Sequence, residues 1–151
     1  MSLHHVNFHT LYNNHLFADD RHDQMMRRCL IDVLRERGIL CPVWELMPNH
    51  VHMVVDDFPD LSLATIMQFV KGDTSRAFFR AFPEMRADLL GGHLWRPGYY
   101  TAHIVTHRQY LATVAYIHDN RARADLLPPV PLAPVGVASS AQAPRSGDRA
   151  T

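Results

Sequence analysis

Three observations predict an α+β fold of the ferredoxin-like, split β-α-β-β-α-β type, with a four-stranded antiparallel sheet and an extra C-terminal helix. Runs of β-formers alternate with two well-capped amphipathic segments in the order this fold requires. The second and third β-runs, residues 39–47 and 50–56, are separated only by Pro48-Asn49, turn chemistry that makes them a hairpin. After the fourth run, Thr106-x-x-Gln109 is a capping-box signature that opens one more helix.

Residues 4–12 alternate, with Val6, Phe8 and Thr10 on one side and His5, Asn7 and His9 on the other, as in a half-buried strand. Asp19 and Asp20 offer N-cap oxygens to a helix in which Met26, Cys29, Leu30, Val33 and Leu34 recur at helical spacing until Gly38 ends it. Pro42 assigns the second strand to a sheet edge or a bulge, because it cannot donate to a ladder. Ser62 caps a second helix whose stripe is Leu63, Ile66, Met67, Val70, Ala77, Phe78 and Ala81, and Pro83 stops it. Residues 83–98 are expected to be a loop, with a fourth strand over residues 99–105 and a third helix over residues 107–122. At about 100° per residue, Tyr110, Val114 and Ile117 of that helix form a buried stripe. Tyr116 falls on the opposite, polar side, and Asn120, one turn later, forms an exposed pair with it.

The 151 residues suffice for one domain, assigned to residues 1–127. Residues 128–151 hold five Pro and almost no large apolar groups, the composition of a disordered tail. A hydrophobic share of 47% and a charged share of 20% are those of a globular protein and exclude fibrous or membrane-embedded classes. No apolar run approaches the roughly 18 residues of a membrane span, and the N-terminus lacks a basic region followed by an apolar one, so a cytoplasmic location without a membrane partner is expected. Cys29 and Cys41 lie in apolar surroundings, far from CxxC spacing, and are expected to be reduced. The net charge is zero, but residues 1–60 carry five Arg against nine acids and residues 61–127 eight Lys or Arg against five. Fourteen of the fifteen basic residues are Arg, whose fork matches phosphate oxygens.

His50 and His52 stand at i and i+2 at the start of a strand, so their imidazoles share a face and can grip one ion. The plainer reading is a polar sheet face, and a metal site needs a third partner. The Asn120 amide oxygen is the one proposed, with further positions left for water and a phosphate. A phenol is a weak nucleophile at neutral pH and a phosphodiester repels anions, so a metal beside Tyr116 suits phosphoryl transfer, with Tyr116 attacking in line. Two imidazoles suit Mn²⁺, Co²⁺ or Zn²⁺, whereas abundance favours Mg²⁺, followed by Mn²⁺. Lys71, Arg76, Arg80 and Arg96 are the proposed phosphate contacts. Trp95, Tyr99 and Tyr100 are the proposed stacking partners for unpaired bases, although Tyr99 and Tyr100 begin a strand and one of them must face the core.

Four stretches carry a family resemblance: Met-Pro-Asn-His50-Val-His52; Val70-Lys71-Gly72-Asp-Thr-Ser75-Arg76; Gly92-His-Leu-Trp95-Arg-Pro97-Gly98-Tyr99-Tyr100; and Tyr116-Ile-His-Asp-Asn120. Together, over residues 4–127, they resemble the single-tyrosine HUH transposases, which include insertion-sequence transposases acting on single-stranded DNA and the REP-associated tyrosine transposases. The resemblance implies a metal-dependent endonuclease and strand transferase acting on hairpin-bearing single-stranded DNA through a 5′-phosphotyrosine. By position it assigns His50 and His52 to the HUH pair, Tyr116 to the nucleophile and Asn120 to the third ligand. Asn at the last place resembles the REP-associated branch, whose Asn-Pro-x-Arg-Ala segment here has Arg121 for Pro. Insertion-sequence relatives resemble swapped homodimers and REP-associated ones monomers, and the sequence is compatible with both.

Three other readings share these residues. A zinc hydrolase would use a water nucleophile, survive Tyr116→Phe, and need a third ligand for which Glu45 is nearest in the chain. A non-catalytic single-strand-binding module would bind DNA without His50 and His52. A domesticated transposase would keep the whole set.

Overall fold

The computed structural model describes residues 2–129 and 132. Strands β1 (Ser2–His9), β2 (Leu40–Met47), β3 (His50–Asp57) and β4 (Tyr100–Ile104) form one sheet in the order β2-β3-β1-β4, every neighbouring pair antiparallel. This is the ferredoxin-like arrangement the sequence predicts. Pro42 sits on edge strand β2, where the register with β3 shifts between Leu40 and Val43. That is the bulge its missing N–H demands.

The two sheet faces carry different helices. On one, α1 (Asp20–Glu36) and α2 (Leu63–Ala81) bury Met26, Leu30, Val33, Ile66, Met67, Val70 and Phe78 against Val6, Phe8, Val51, Met53 and Val55. Asp19 and Ser62 cap these helices by accepting from Arg21 N and Thr65 N. On the other, α4 (His107–His118) sets Ile117 and Tyr110 against Val54, Ile104, Leu3 and Val43. Thr106 and Gln109 close the expected capping box at its start.

Three boundaries differ from expectation. The first strand ends at His9 rather than residue 12, because the chain turns through positive φ at Tyr12 and Asn13. Pro83 both stops α2 and opens a short helix, α3 (Pro83–Asp88), inside the expected loop, since proline is well suited to a first helical turn. The third helix breaks at Asp119, and α5 (Asn120–Arg123) continues from it. The disorder expected of residues 128–151 falls, except at Pro128, Pro129 and Leu132, outside the described residues. No helix among the described residues is long and apolar enough to cross a membrane. Cys29 and Cys41 are free thiols, and burial pushes their pKa values up to about 11 and about 12.

Candidate active site

The residues that alternate away from the α1/α2 core meet on the α4 face of the sheet. In the β1–β3 register His9 stands opposite His50, Asn7 opposite His52, and His5 opposite Val54. Cross-strand partners share a face, so four imidazoles gather there. The His9 and His50 rings stack at 4.7 Å, and those of His5 and His52 at 5.3 Å.

The His50–His52 pair is oriented from behind. His50 Nδ1 lies 2.7 Å from Asn49 Oδ1, which can only accept, so the proton of neutral His50 is on Nδ1 and Nε2 carries a lone pair. His52 Nδ1 lies 3.1 Å from His5 Nε2. The remaining nitrogens, His50 Nε2 and His52 Nε2, point at each other across 3.1 Å. That separation matches two adjacent ligands each about 2.1 Å from a shared ion, so the pair fits a divalent metal. Charge state agrees: burial, reinforced by His9, lowers the His50 pKa to about 4. Burial, then His50, His5, His9 and Arg123, lowers that of His52 to about 3. Both imidazoles are neutral at pH 7, the form that ligates.

Tyr116 comes from α4, 46% exposed, with its ring 5.7 Å from that of His52 and 6.2 Å from that of His5. Arg123, on α5, folds back so that its guanidinium lies 4.0 Å from the centre of the Tyr116 ring while donating to the Tyr116 carbonyl oxygen. Asn120 departs from the exposed pairing expected of it and is only 7% exposed. The break at Asp119 takes it off the helical progression of α4. Its Nδ2 is buried and has no hydrogen-bond partner among the described residues, so local contacts do not fix the amide.

The basic and aromatic residues divide differently. The assignment of Trp95 to base stacking is corrected: it is 7% exposed, lies edge-on to Phe8 at 4.7 Å and donates from Nε1 to Thr74 Oγ1. Its apolar area is better satisfied in the core than in water. The Lys71 ammonium is committed to the Arg96 and Gly98 carbonyl oxygens, at 2.8 and 2.6 Å. Arg76 is paired with Asp73, and with Arg80 it lines a groove between α1 and α2, across the sheet from the histidines. Arg96 alone of the proposed phosphate contacts lines a cleft with His9 and Tyr100, on the side of the site. Glu45, the ligand a zinc hydrolase would need, accepts instead from Arg27 Nη2 and Leu46 N, at 2.7 and 2.8 Å.

The phenol of Tyr116 and the convergent imidazole nitrogens of His50 and His52 therefore occupy one face of the sheet within one chain. The family model for IS200-like transposases matches residues 1–120. The chain belongs to that family. The chain is 31% identical over 74 residues to the ISDra2 transposase TnpA of Deinococcus radiodurans, an alignment covering 49% of this chain and 53% of that one. It thus spans about half the length of the curated relative it matches. A crystal structure from Deinococcus radiodurans R1 assigned as a transposase superposes with a TM-score of 0.61 at 26% identity, over 78% of this chain and 88% of that one. The REP-associated tyrosine transposase bound to a REP hairpin superposes with a TM-score of 0.63 at 19% identity, over 83% and 70%, and shares the fold.

The sequence alone does not tie His5, His9, Asn49 or Arg123 to the candidate site. For the first two a signal existed, because alternation already separated them from Val6 and Phe8, and pairing β1 with β3 would have set them beside the HUH pair. Arg123 carried none, since its approach to Tyr116 depends on the turn at Asp119.

Proposed function

We propose that this transposase is a divalent-metal-dependent endonuclease and strand transferase for hairpin-bearing single-stranded DNA, with Tyr116 as nucleophile and His50, His52 and Asn120 as metal ligands. One observation carries the reading: the Tyr116 ring lies 5.7 Å from that of His52, whose Nε2 converges with His50 Nε2 at 3.1 Å. A nucleophile is thus held beside a chelating pair within one chain.

Bound Mg²⁺ or Mn²⁺ supplies Lewis-acid polarisation of a phosphate oxygen. The chain's own groups do the rest. His50 and His52 stay neutral, and Asn49 and His5 hold their rings with the Nε2 atoms aimed together. Tyr116 Oη forms an ester to the 5′ phosphate as the bond to the 3′ oxygen breaks; the phenolic proton leaves to solvent and the departing oxygen takes one up. Attack by another 3′-OH reverses these bonds, rejoins DNA and restores the phenol.

Purified protein incubated with labelled single-stranded hairpin DNA and Mg²⁺ or Mn²⁺ tests this. A denaturant-resistant protein–DNA adduct, absent in Tyr116→Phe and in His50→Ala/His52→Ala, is expected. Cleavage that persists unchanged in Tyr116→Phe overturns it.

A further inference from the structure

The ladder between β1 and β4 begins only at the pair Asn7–Tyr100, and the next contacts along β1 are the bond from Arg96 N to the His9 carbonyl oxygen and the bridge between Thr10 and Trp95. Between these points residues 97–99 bow away from the strand, passing through positive φ at Gly98. Lys71 braces the bow from the helical side by donating to the Arg96 and Gly98 carbonyl oxygens, so the opening is built into the fold. The result is a cleft of about 410 Å³ lined by Asn7, His9, Arg96, Gly98, Tyr99 and Tyr100. That volume lies within the roughly 300–1,000 Å³ range of small-molecule sites.

The lining has the chemistry of a nucleotide site. Tyr100 is 57% exposed, offering a ring face at the cleft edge. Asn7, half-buried on the central strand, brings an amide with a donor and an acceptor side by side. Arg96 supplies a fork for a phosphate, and its charge reaches the neighbouring His9. The cleft also adjoins the metal pair directly, since Asn7 stands opposite His52 and the His9 ring stacks on His50.

Resting on the function proposed above, we infer that this cleft holds one unpaired nucleotide next to the scissile phosphate: Tyr100 stacks on its base, Asn7 hydrogen-bonds the base edge, and Arg96 binds its phosphate. The site therefore selects DNA through a base it holds itself, in addition to any hairpin.

The test uses a single-stranded oligonucleotide recovered from a randomised, hairpin-bearing pool by adduct formation with the full-length protein. Each base near the cleavage point is replaced in turn by an abasic residue, and binding to Tyr116→Phe protein is measured. One position beside the cleaved phosphate is expected to lose at least tenfold in affinity when abasic. In Asn7→Ala and Tyr100→Ala backgrounds, checked for folding by circular dichroism, that penalty should shrink toward unity, and Asn7→Asp, which keeps volume but loses the donor, should also reduce it. A penalty that stays the same in all three variants, or the absence of any sensitive position on DNA the parent protein does cleave, overturns the subsite while leaving Tyr116 chemistry standing. A parent protein that forms no adduct with any member of the pool overturns the proposed function and this inference together.

Discussion

Nε2 of His5 lies 3.1 Å from Nδ1 of His52, with the two rings stacked at 5.3 Å. Because His50 Nε2 already carries a lone pair, the metal-free protein satisfies the pair if His52 Nε2 donates to it. Ligating an ion requires that proton to be on Nδ1 instead, and His5 is the group placed to accept from it there.

His5→Phe keeps a ring against His52 and removes the acceptor. Partners of this kind change metal affinity by about 10–100-fold, and a loss of that size in Mn²⁺ affinity by titration calorimetry is expected. Unchanged affinity would show that His5 only fills space.

Acid should destabilise the metal-free protein through the same cluster. The His50 and His52 pKa values are lowered from 6.5 to about 4 and about 3, chiefly by burial, so between those values and 6.5 the unfolded chain binds more protons than the folded one. The contribution of neutral burial is fully present above pH 6.5 and is lost as pH falls toward 4 and 3. The melting temperature should fall across that window, and the slope should flatten in His50→Gln/His52→Gln. A profile equally steep in the double variant would assign the acid sensitivity to other groups.

What the sequence disclosed follows from the range of the physics involved. Strand alternation, caps and the Pro48-Asn49 turn are local signals, and they located the sheet, three helices and the HUH pair to within a few residues. Tyr116 was legible because helical angle puts it opposite Val114. Asn120 was misjudged as exposed because that angular count assumes an unbroken helix, and the break at Asp119 has no local breaker residue to announce it. Arg121 helps to set where the chain goes next, donating to Leu46 O on the free edge of β2 and to Leu127 O. Those contacts are non-local, and nothing in the run Asp119-Asn120-Arg121 specifies them. Trp95 was misread for a related reason, since a tryptophan in a Gly- and Pro-rich stretch looks exposed until the core that receives it is known.

Trp95→Phe separates packing from base stacking. Phenylalanine keeps most of the contact with Phe8 and Phe17 but loses the bond from Nε1 to Thr74 and some volume, a cost of roughly 1–3 kcal/mol in denaturant unfolding. Single-stranded DNA affinity of the folded variant should stay within about twofold, well under the ~1–3 kcal/mol that a base stack contributes. A tenfold loss of affinity would return Trp95 to the DNA interface.

Arg123 holds the nucleophile in place by two contacts to the same residue, the guanidinium over the Tyr116 ring and its N–H on the Tyr116 carbonyl oxygen. At a half-exposed site the cation–π contact contributes only about 0.5–1 kcal/mol, so stability should barely change in Arg123→Leu. Rate is more sensitive than stability, because a displacement of about 1 Å in a reacting group can cost 10²-fold. The single-turnover rate of adduct formation should therefore drop by roughly 10–100-fold in Arg123→Leu with little change in DNA affinity. Arg123→Lys retains charge but not the planar stack, and should recover only a fraction of the rate. Full recovery by lysine would mean that charge alone matters, and an unaltered rate in Arg123→Leu would mean that Tyr116 is held by α4 without help.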